Sequence, residues 1–405
     1  MSSKGSESGG GLGAAPVLAL GFRPFFLVAM AFGAVAISWW VVLIARGQTM
    51  FTPSVTSAMW HAHEMIFGYL FAVIMGFLLT AVGNWTGLKM PSGAGLLGMV
   101  LLWASGRVAM AFYGALPWWL VALAVTSAPL SLWYVIGRRV VSAGSKRNYG
   151  ILVILGLFTV LTLAAQLGMA GIGGWGFWPP LYGALHLAVM LNLVIGGRII
   201  PMFTRNRTKV ETRTAPVVDR VALVSALLTG VLVVVSSSVR GVEAVRYVLA
   251  AVALVAGCAH VARMRHWGVG AGLRVPMLAV LDLAYLGIVA GYFLLAVSTF
   301  VPAVNSVTSV HLFTVAGMGL MTVGMMTRVS LGHTGRPMED DALIRAIYVT
   351  MGLAAVVRLL DYFGSPAFMR GCQVLSGVLF AVSLVLCLVW GVPRLTARRA
   401  DGKPG

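Results

Sequence analysis

Twelve stretches of mostly apolar sequence, each long enough to cross a bilayer as a helix, alternate with short polar connections along this chain. A run of about 18 or more apolar residues is what a helix needs to span the hydrocarbon core. Such runs fall at roughly 25–45, 60–82, 95–114, 116–136, 149–169, 179–203, 217–239, 243–263, 276–298, 304–326, 342–362 and 368–392. The connections alternate in charge. Arg138, Arg139, Lys146 and Arg147 follow span 4, Arg198, Arg205, Arg207, Lys209 and Arg213 follow span 6, and Arg263, Arg265 and Arg274 follow span 8, whereas the connections after spans 3, 5 and 9 carry no charge. Lys and Arg collect in cytoplasmic loops, so the even connections and both termini are expected on the inner side. A basic tail bearing Arg394, Arg398 and Arg399 agrees with an even number of spans.

Composition narrows the class. With 59% hydrophobic residues, 10% charged residues and a mean hydropathy of +0.93 over 405 residues, an ordinary soluble domain is excluded. The chain reads as an all-α polytopic membrane protein of a bacterial inner membrane, its partner the lipid bilayer. Its formal charge of +18 is accounted for by loop topology, and no nucleic-acid partner is expected. Residues 1–22 are rich in Gly and Ser and read as a disordered tail, 23–392 as one twelve-helix domain, and 393–405 as a basic C-terminal tail. The first span is too long, and too poorly followed by small residues, for a removed signal peptide. Cys258, Cys372 and Cys387 show no metal-binding spacing and read as packing residues.

Histidines break the apolar pattern at matching places. They stand as His61 and His63 in WHAHEMIFGYL, His186 in LHLAVMLNLV and His311 in VHLFTVAGMG, near the same end of spans 2, 6 and 10. All three spans are expected to enter from the outer side, which puts the four imidazoles in one layer in the outer third of the membrane. Ionisable side chains at that depth are costly and usually functional, so the layer points to metal or haem ligation. The span after each of these helices carries an arginine near its outer end, Arg107, Arg240 and Arg358. This suggests three pseudo-repeated four-helix units. A planar guanidinium at the rim of a histidine layer suits pairing with haem propionates; snorkelling to headgroups is the plain alternative.

Residues two apart on a helix are turned by about 200°. His61 and His63 therefore leave opposite faces, and one helix can serve two cofactors. Twelve helices in three arcs with such a pair are similar in outline to the haem-copper oxidases, although the adjacent His pair of that family is missing and the two-apart pair lies on a different helix; the likeness is one of architecture.

A closer likeness rests on Gly21-Phe22-Arg23-Pro24-Phe25-Phe26 opening span 1, Trp60-His61-Ala62-His63-Glu64-Met65 opening span 2 and Asn84-Trp85-Thr86-Gly87 closing it. To these are added Gly196-Gly197-Arg198-Ile199-Ile200-Pro201 closing span 6 and Arg328 to Arg336 (RVSLGHTGR) after span 10. Over nearly its whole length the chain resembles the NnrS family of haem- and copper-containing membrane proteins associated with nitric-oxide metabolism. The resemblance implies haem b, one or two, and copper or another non-haem metal, with nitric oxide as the ligand handled. On span 9, Asp282 stands where that family's pattern is expected to carry histidine, and an acidic residue could bind a metal or relay a proton there.

The remaining candidates are Glu64, which could protonate a bound substrate or hold a non-haem metal, and His333, either a second-site ligand or a loop residue. His260 and His266, among Arg263 and Arg265, read as solvated interfacial histidines, and Met318, Met321, Met325 and Met326 as adaptable packing. Two histidines would hold a six-coordinate haem, one a five-coordinate haem, and the one left over could not bind copper alone. The leading expectation is an oxidoreductase that reduces NO to nitrous oxide. The alternatives are a haem protein that binds NO or protects against it without turnover and, less favoured, a secondary transporter. With no CxxCH and no iron-sulfur cysteine set, electrons are expected from membrane quinol or a separate cytochrome.

Overall fold

A chain crossing hydrocarbon has no water to satisfy its N–H and C=O groups, so apolar segments of this length close their hydrogen bonds internally as helices. The computed structural model describes residues 15–47, 55–239, 241–301, 304–360 and 365–403. Among the described residues, twelve helices are long and apolar enough to span a membrane: α1 (Phe22–Arg46), α2 (Ser57–Thr86), α3 (Gly93–Ala111), α4 (Trp118–Ser142), α5 (Lys146–Met169), α6 (Trp178–Thr208), α7 (Pro216–Ser238), α8 (Glu243–Met264), α9 (Pro276–Val297), α10 (Ser306–His333), α11 (Ala342–Leu360) and α12 (Pro366–Leu395). They match the twelve sequence-predicted spans one for one, and the protein is a multi-pass membrane protein. Of the expected N-terminal tail, Pro16–Leu18 form a 3₁₀ turn with Leu18 buried; residues 1–14 lie outside the described residues, as does Arg240.

Local chemistry sets the helix ends. The side chains of Thr56 and Asn305 accept from Met59 N at 3.2 Å and Val307 N at 2.9 Å, capping α2 and α10. Proline occupies the first turn of α6, α7, α9 and α12, where its missing N–H costs nothing. Gly47 and Gly87 close α1 and α2 in the left-handed conformation. The C-terminus of α12 is closed by a cation: fully buried Arg23 donates from Nη1 to Leu395 O at 3.0 Å and to Ala397 O at 2.7 Å, satisfying carbonyls that the helix leaves open.

Consecutive helices pack side by side from α3 to α9, and α1 lies along α12, which in turn packs on α11, so the first and last spans are neighbours. Burial separates the helices into two sets. The apolar windows of α2 and α10 are 83% and 78% buried, those of α9 and α6 67% and 56%, while the other eight range from 28% to 44%. Three of the four inner helices, α2, α6 and α10, are those that carry the candidate histidines. They meet around an apolar cavity of about 60 Å³ lined by Leu70 and Phe77 of α2, Leu191 and Ile195 of α6, and Met321 and Met325 of α10. Two of those methionines thereby line a cavity, and Met318 and Met326 are buried beside them. Between α9 and α10, Gly287 faces Ala316 so closely that a Cβ would come 2.7 Å from its carbonyl carbon, a small-residue approach typical of membrane helices.

Both α2 and α10 lose α-helical register at the same point. In α2 a π-helical stretch, Glu64–Leu70, begins directly after His63; in α10 another, Leu312–Gly319, begins directly after His311. Each inserts a widened turn below a histidine, a feature that tends to accompany function.

Replacing Arg23 with Ala takes this donor from the buried carbonyl of Leu395 and from the half-buried carbonyl of Ala397 just beyond α12. We expect a loss of about 2–3 kcal/mol, read as a lowered denaturation midpoint in detergent, with Arg23→Lys falling between; an unchanged midpoint in Arg23→Ala would remove this cap from the account.

Candidate functional site

His63 is fully buried at the end of the first α turns of α2. Its Nδ1 lies 2.6 Å from Glu64 Oε1, and the same oxygen accepts from Arg107 Nη1 of α3 at 2.6 Å. A carboxylate held by a guanidinium accepts hydrogen bonds, so the proton of His63 sits on Nδ1 and the Nε2 lone pair is free to accept. It does so from Gln166 Nε2 of α5 at 2.6 Å. Phe67 lies against the ring, 4.9 Å from His63 between centroids, and Phe158 meets Phe67 edge-on at 5.6 Å. Trp103 Nε1 donates to Gly68 O at 3.0 Å, which helps satisfy the backbone of the π stretch. A Cβ at Gly68 would come 2.9 Å from Arg107 Nη1, so the glycine lets the guanidinium approach Glu64.

His61 leaves the other face of α2, as the 200° offset requires. It stacks on Trp40 of α1, with centroids 4.5 Å apart and planes 14° from parallel, and its Nδ1 is buried without a hydrogen-bond partner. On the same side stands His311 of α10. Its Nδ1 lies 2.8 Å from Val307 O one turn back, and Arg358 Nη2 of α11 lies 3.2 Å from its Nε2. His61 and His311 are near enough to act on each other electrostatically, and Arg358 acts on both. The third position repeats the arrangement. His186 Nδ1 of α6 lies 2.9 Å from Tyr182 O, its Nε2 is buried with no hydrogen-bond partner, and Phe313 meets its ring edge-on at 5.6 Å.

A carbonyl can only accept, so in His186 and His311, as in His63, the proton is fixed on Nδ1 and the lone pair on Nε2. Histidines that ligate a metal are held in this way, by an oxygen acceptor on the nitrogen away from the metal. Arg107 also has a buried Nε without a partner, a donor directed to no protein acceptor.

The sequence-predicted residues form separate clusters. Glu64, His63 and Arg107 come together, as do His61, His311 and Arg358, while His186 stands at a third position. His333 is apart from all of them: it stands 22 positions after His311 on the same helix, which puts the two about 33 Å apart. Its ring packs 5.6 Å from Phe22, and its carbonyl accepts from Arg399 Nη1 at 3.0 Å. Asp282 is fully buried, and neither of its carboxylate oxygens has a hydrogen-bond partner. Among the described residues no group of three or more His, Cys, Asp and Glu side chains is placed to hold a metal ion.

The reading of His260 as solvated is corrected. It is fully buried, with Nδ1 2.7 Å from Tyr285 Oη and its ring stacked on Tyr292. Arg263 is also buried. It donates to Asp219 Oδ1 at 2.6 Å, Leu193 O at 2.9 Å and Tyr285 Oη at 2.8 Å. Gln166 was missed as a site residue. A lone amide in the apolar run LTLAAQLGM was the available signal, because such a group in a membrane helix needs a partner.

The comparisons with known proteins give the family. The family model described as "NnrS protein" matches residues 16–399, and the chain belongs to the NnrS family, membrane proteins tied to the response to nitric oxide. A search of curated proteins finds no match.

Removing Glu64 strands the buried Arg107 charge and releases His63. Glu64→Ala is expected to cost about 3–5 kcal/mol. The double variant Glu64→Ala/Arg107→Ala should cost less than the sum of the singles, which a denaturation cycle in detergent reads directly. Additivity within about 0.5 kcal/mol would mean that the pair is not coupled.

Proposed function

We propose that this NnrS-family protein holds haem b, one or two groups, through histidine Nε2 atoms at one end of the bundle, and reduces nitric oxide to nitrous oxide there. The observation that carries the reading is the shared tautomer of His63, His186 and His311, each with Nδ1 tied to an oxygen and the lone pair on Nε2; that of His186 has no protein partner, whereas those of His63 and His311 face Gln166 and Arg358, which an iron would have to displace. His61, with its buried unpartnered Nδ1, is the fourth candidate ligand. The unpartnered Nε2 of His186 and Nε of Arg107 are what an iron and a propionate carboxylate would satisfy, so the residues fit haem. Arg107 and Arg358 are the propionate anchors in this reading, and Arg240 is a third by position in the sequence. The histidine end is taken as the outer one, in a bacterial inner membrane.

For copper or another non-haem metal the donors do not fit, since no three of them gather among the described residues. Asp282 and His333 stand too far from the histidine end in sequence along their helices to complete such a set, and no step of the reaction is assigned to a second metal.

The overall change is 2 NO + 2 e⁻ + 2 H⁺ → N₂O + H₂O, with electrons from membrane quinol or a separate cytochrome. Haem, when bound, supplies an iron with an open position for NO and the redox change. The protein's own part is positional and protonic. Glu64 Oε1 orients His63 and is the carboxylate nearest these ligands. A proton taken up on it would loosen its bonds to His63 and Arg107, linking proton delivery to ligand orientation. Phe67 against His63 and Phe313 against His186 keep bulk water from the histidines, while NO, small and weakly polar, can pass.

The same donor shortage favours a second reading, a haem protein that binds or buffers NO without turnover. Anaerobic NO consumption by the reduced, haem-containing protein separates the two. The enzyme reading expects one N₂O per two NO, and a rate about 100-fold lower in Glu64→Gln with its NO-bound spectrum retained. A spectrum shifted by NO without N₂O would leave the binding reading; no response to NO would sink both.

A further inference from the structure

Away from the histidine end, where α6 passes from the bundle into the connection before α7, the structure contains a second cavity of about 350 Å³. It is lined by five arginines, Arg147, Arg198, Arg205, Arg213 and Arg263, and by a single carboxylate, Asp219. Two of the five have carboxylate partners: Arg263 binds Asp219 at 2.6 Å, and Arg213 binds Glu211 at 3.2 Å on the exposed connection. The Arg213 guanidinium holds the Glu211 carboxyl below the usual range, so this second pair stays charged in water.

The other three have none among the described residues. Arg198 is held in place by neutral acceptors, Nη1 by Asn148 Oδ1 at 3.0 Å and Nη2 by Arg147 O at 3.2 Å; Arg147 and Arg205 pair with no acid. Positions are also fixed from behind. A Cβ at Gly197 would overlap the Arg263 guanidinium, so only glycine there lets Arg263 reach the cavity wall. Arg147 and Arg205 reach solvent while Arg198 is half-buried, and the repulsion of three uncompensated guanidinium groups at the mouth of one cavity is relieved by an anion between them. Their planar forks match a tetrahedral oxyanion with several oxygens better than a halide.

We propose that this cavity is a binding site for a phosphate group. The group could be the headgroup of an anionic phospholipid, since basic pockets between membrane helices take such headgroups and the neighbouring α7 surface exposes Val217, Val221 and Val224. It could equally be a soluble phosphate. Both would meet Arg147, Arg198 and Arg205.

The test uses the full-length protein in detergent. Its melting temperature and ligand occupancy by native mass spectrometry are followed against phosphatidylglycerol, phosphatidylcholine and inorganic phosphate. Stabilisation by phosphatidylglycerol and not phosphatidylcholine identifies the lipid; stabilisation by inorganic phosphate identifies the soluble source. In either case Arg198→Gln/Arg205→Gln should weaken binding at least tenfold, and rising salt should weaken it in the wild type. Arg207→Gln/Arg220→Gln removes the same charge from exposed positions outside the cavity and should bind as the wild type does. Equal loss in both double variants would reduce the effect to general charge, and no preference for either phosphate source over phosphatidylcholine and chloride would overturn the proposal.

Discussion

Inside a bilayer every polar group must find its partner within the protein, because no water is present to take its place. That constraint decides how the histidines of this protein stand. At His186 and His311 the backbone carbonyl one turn back accepts the Nδ1 proton; at His63 the same place is taken by Glu64, itself anchored by Arg107. Each solution leaves Nε2 as the acceptor. The need to bury an imidazole without stranding its N–H thus puts the lone pair on the nitrogen that binds metals, without a protein partner at His186 and facing Gln166 at His63 and Arg358 at His311.

The π stretches extend this argument. A π turn after His63 and another after His311 widen α2 and α10 where these helices face their neighbours. In α2 the widened backbone finds support from Trp103, which donates to Gly68 O. In α10 the stretch lies against Gly287 and Gly291 of α9. Of the inner helices α2 and α10 are therefore distorted just after their histidines, while α6 runs regularly through His186, and the three meet further along around the small apolar cavity.

The fold was legible in the sequence because hydrophobic length is a strong signal in membrane proteins: all twelve spans, from Phe22–Arg46 to Pro366–Leu395, are where the apolar runs put them. The separation of His61 from His63 followed from helix geometry alone, and Trp40 and Gln166 on opposite sides of α2 mark it. What could not be read was partnership. Nothing in the spacing says that Arg107 meets Glu64, that Arg23 closes a helix more than 370 positions later, or that His260 is buried against Tyr285 instead of lying in water. Those depend on which helix faces which, a tertiary outcome that periodicity does not carry. The π stretches were equally hidden, because their residues are as apolar as those of the regular turns around them. Positive charge in the loops misled in one respect: Arg198 and Arg263 read as topology signals, yet both line a wall inside the structure.

The central claim is that the histidine end of this bundle is a haem site. The most direct measurement is the reduced-minus-oxidised absorption spectrum of the purified protein, with haem quantified per chain and compared with His63→Ala, His186→Ala and His311→Ala. The account predicts a b-type spectrum in the wild type and a loss of haem or a changed spectrum in the substituted proteins. A wild type without haem, or three variants with its full haem content and unaltered spectrum, would contradict it.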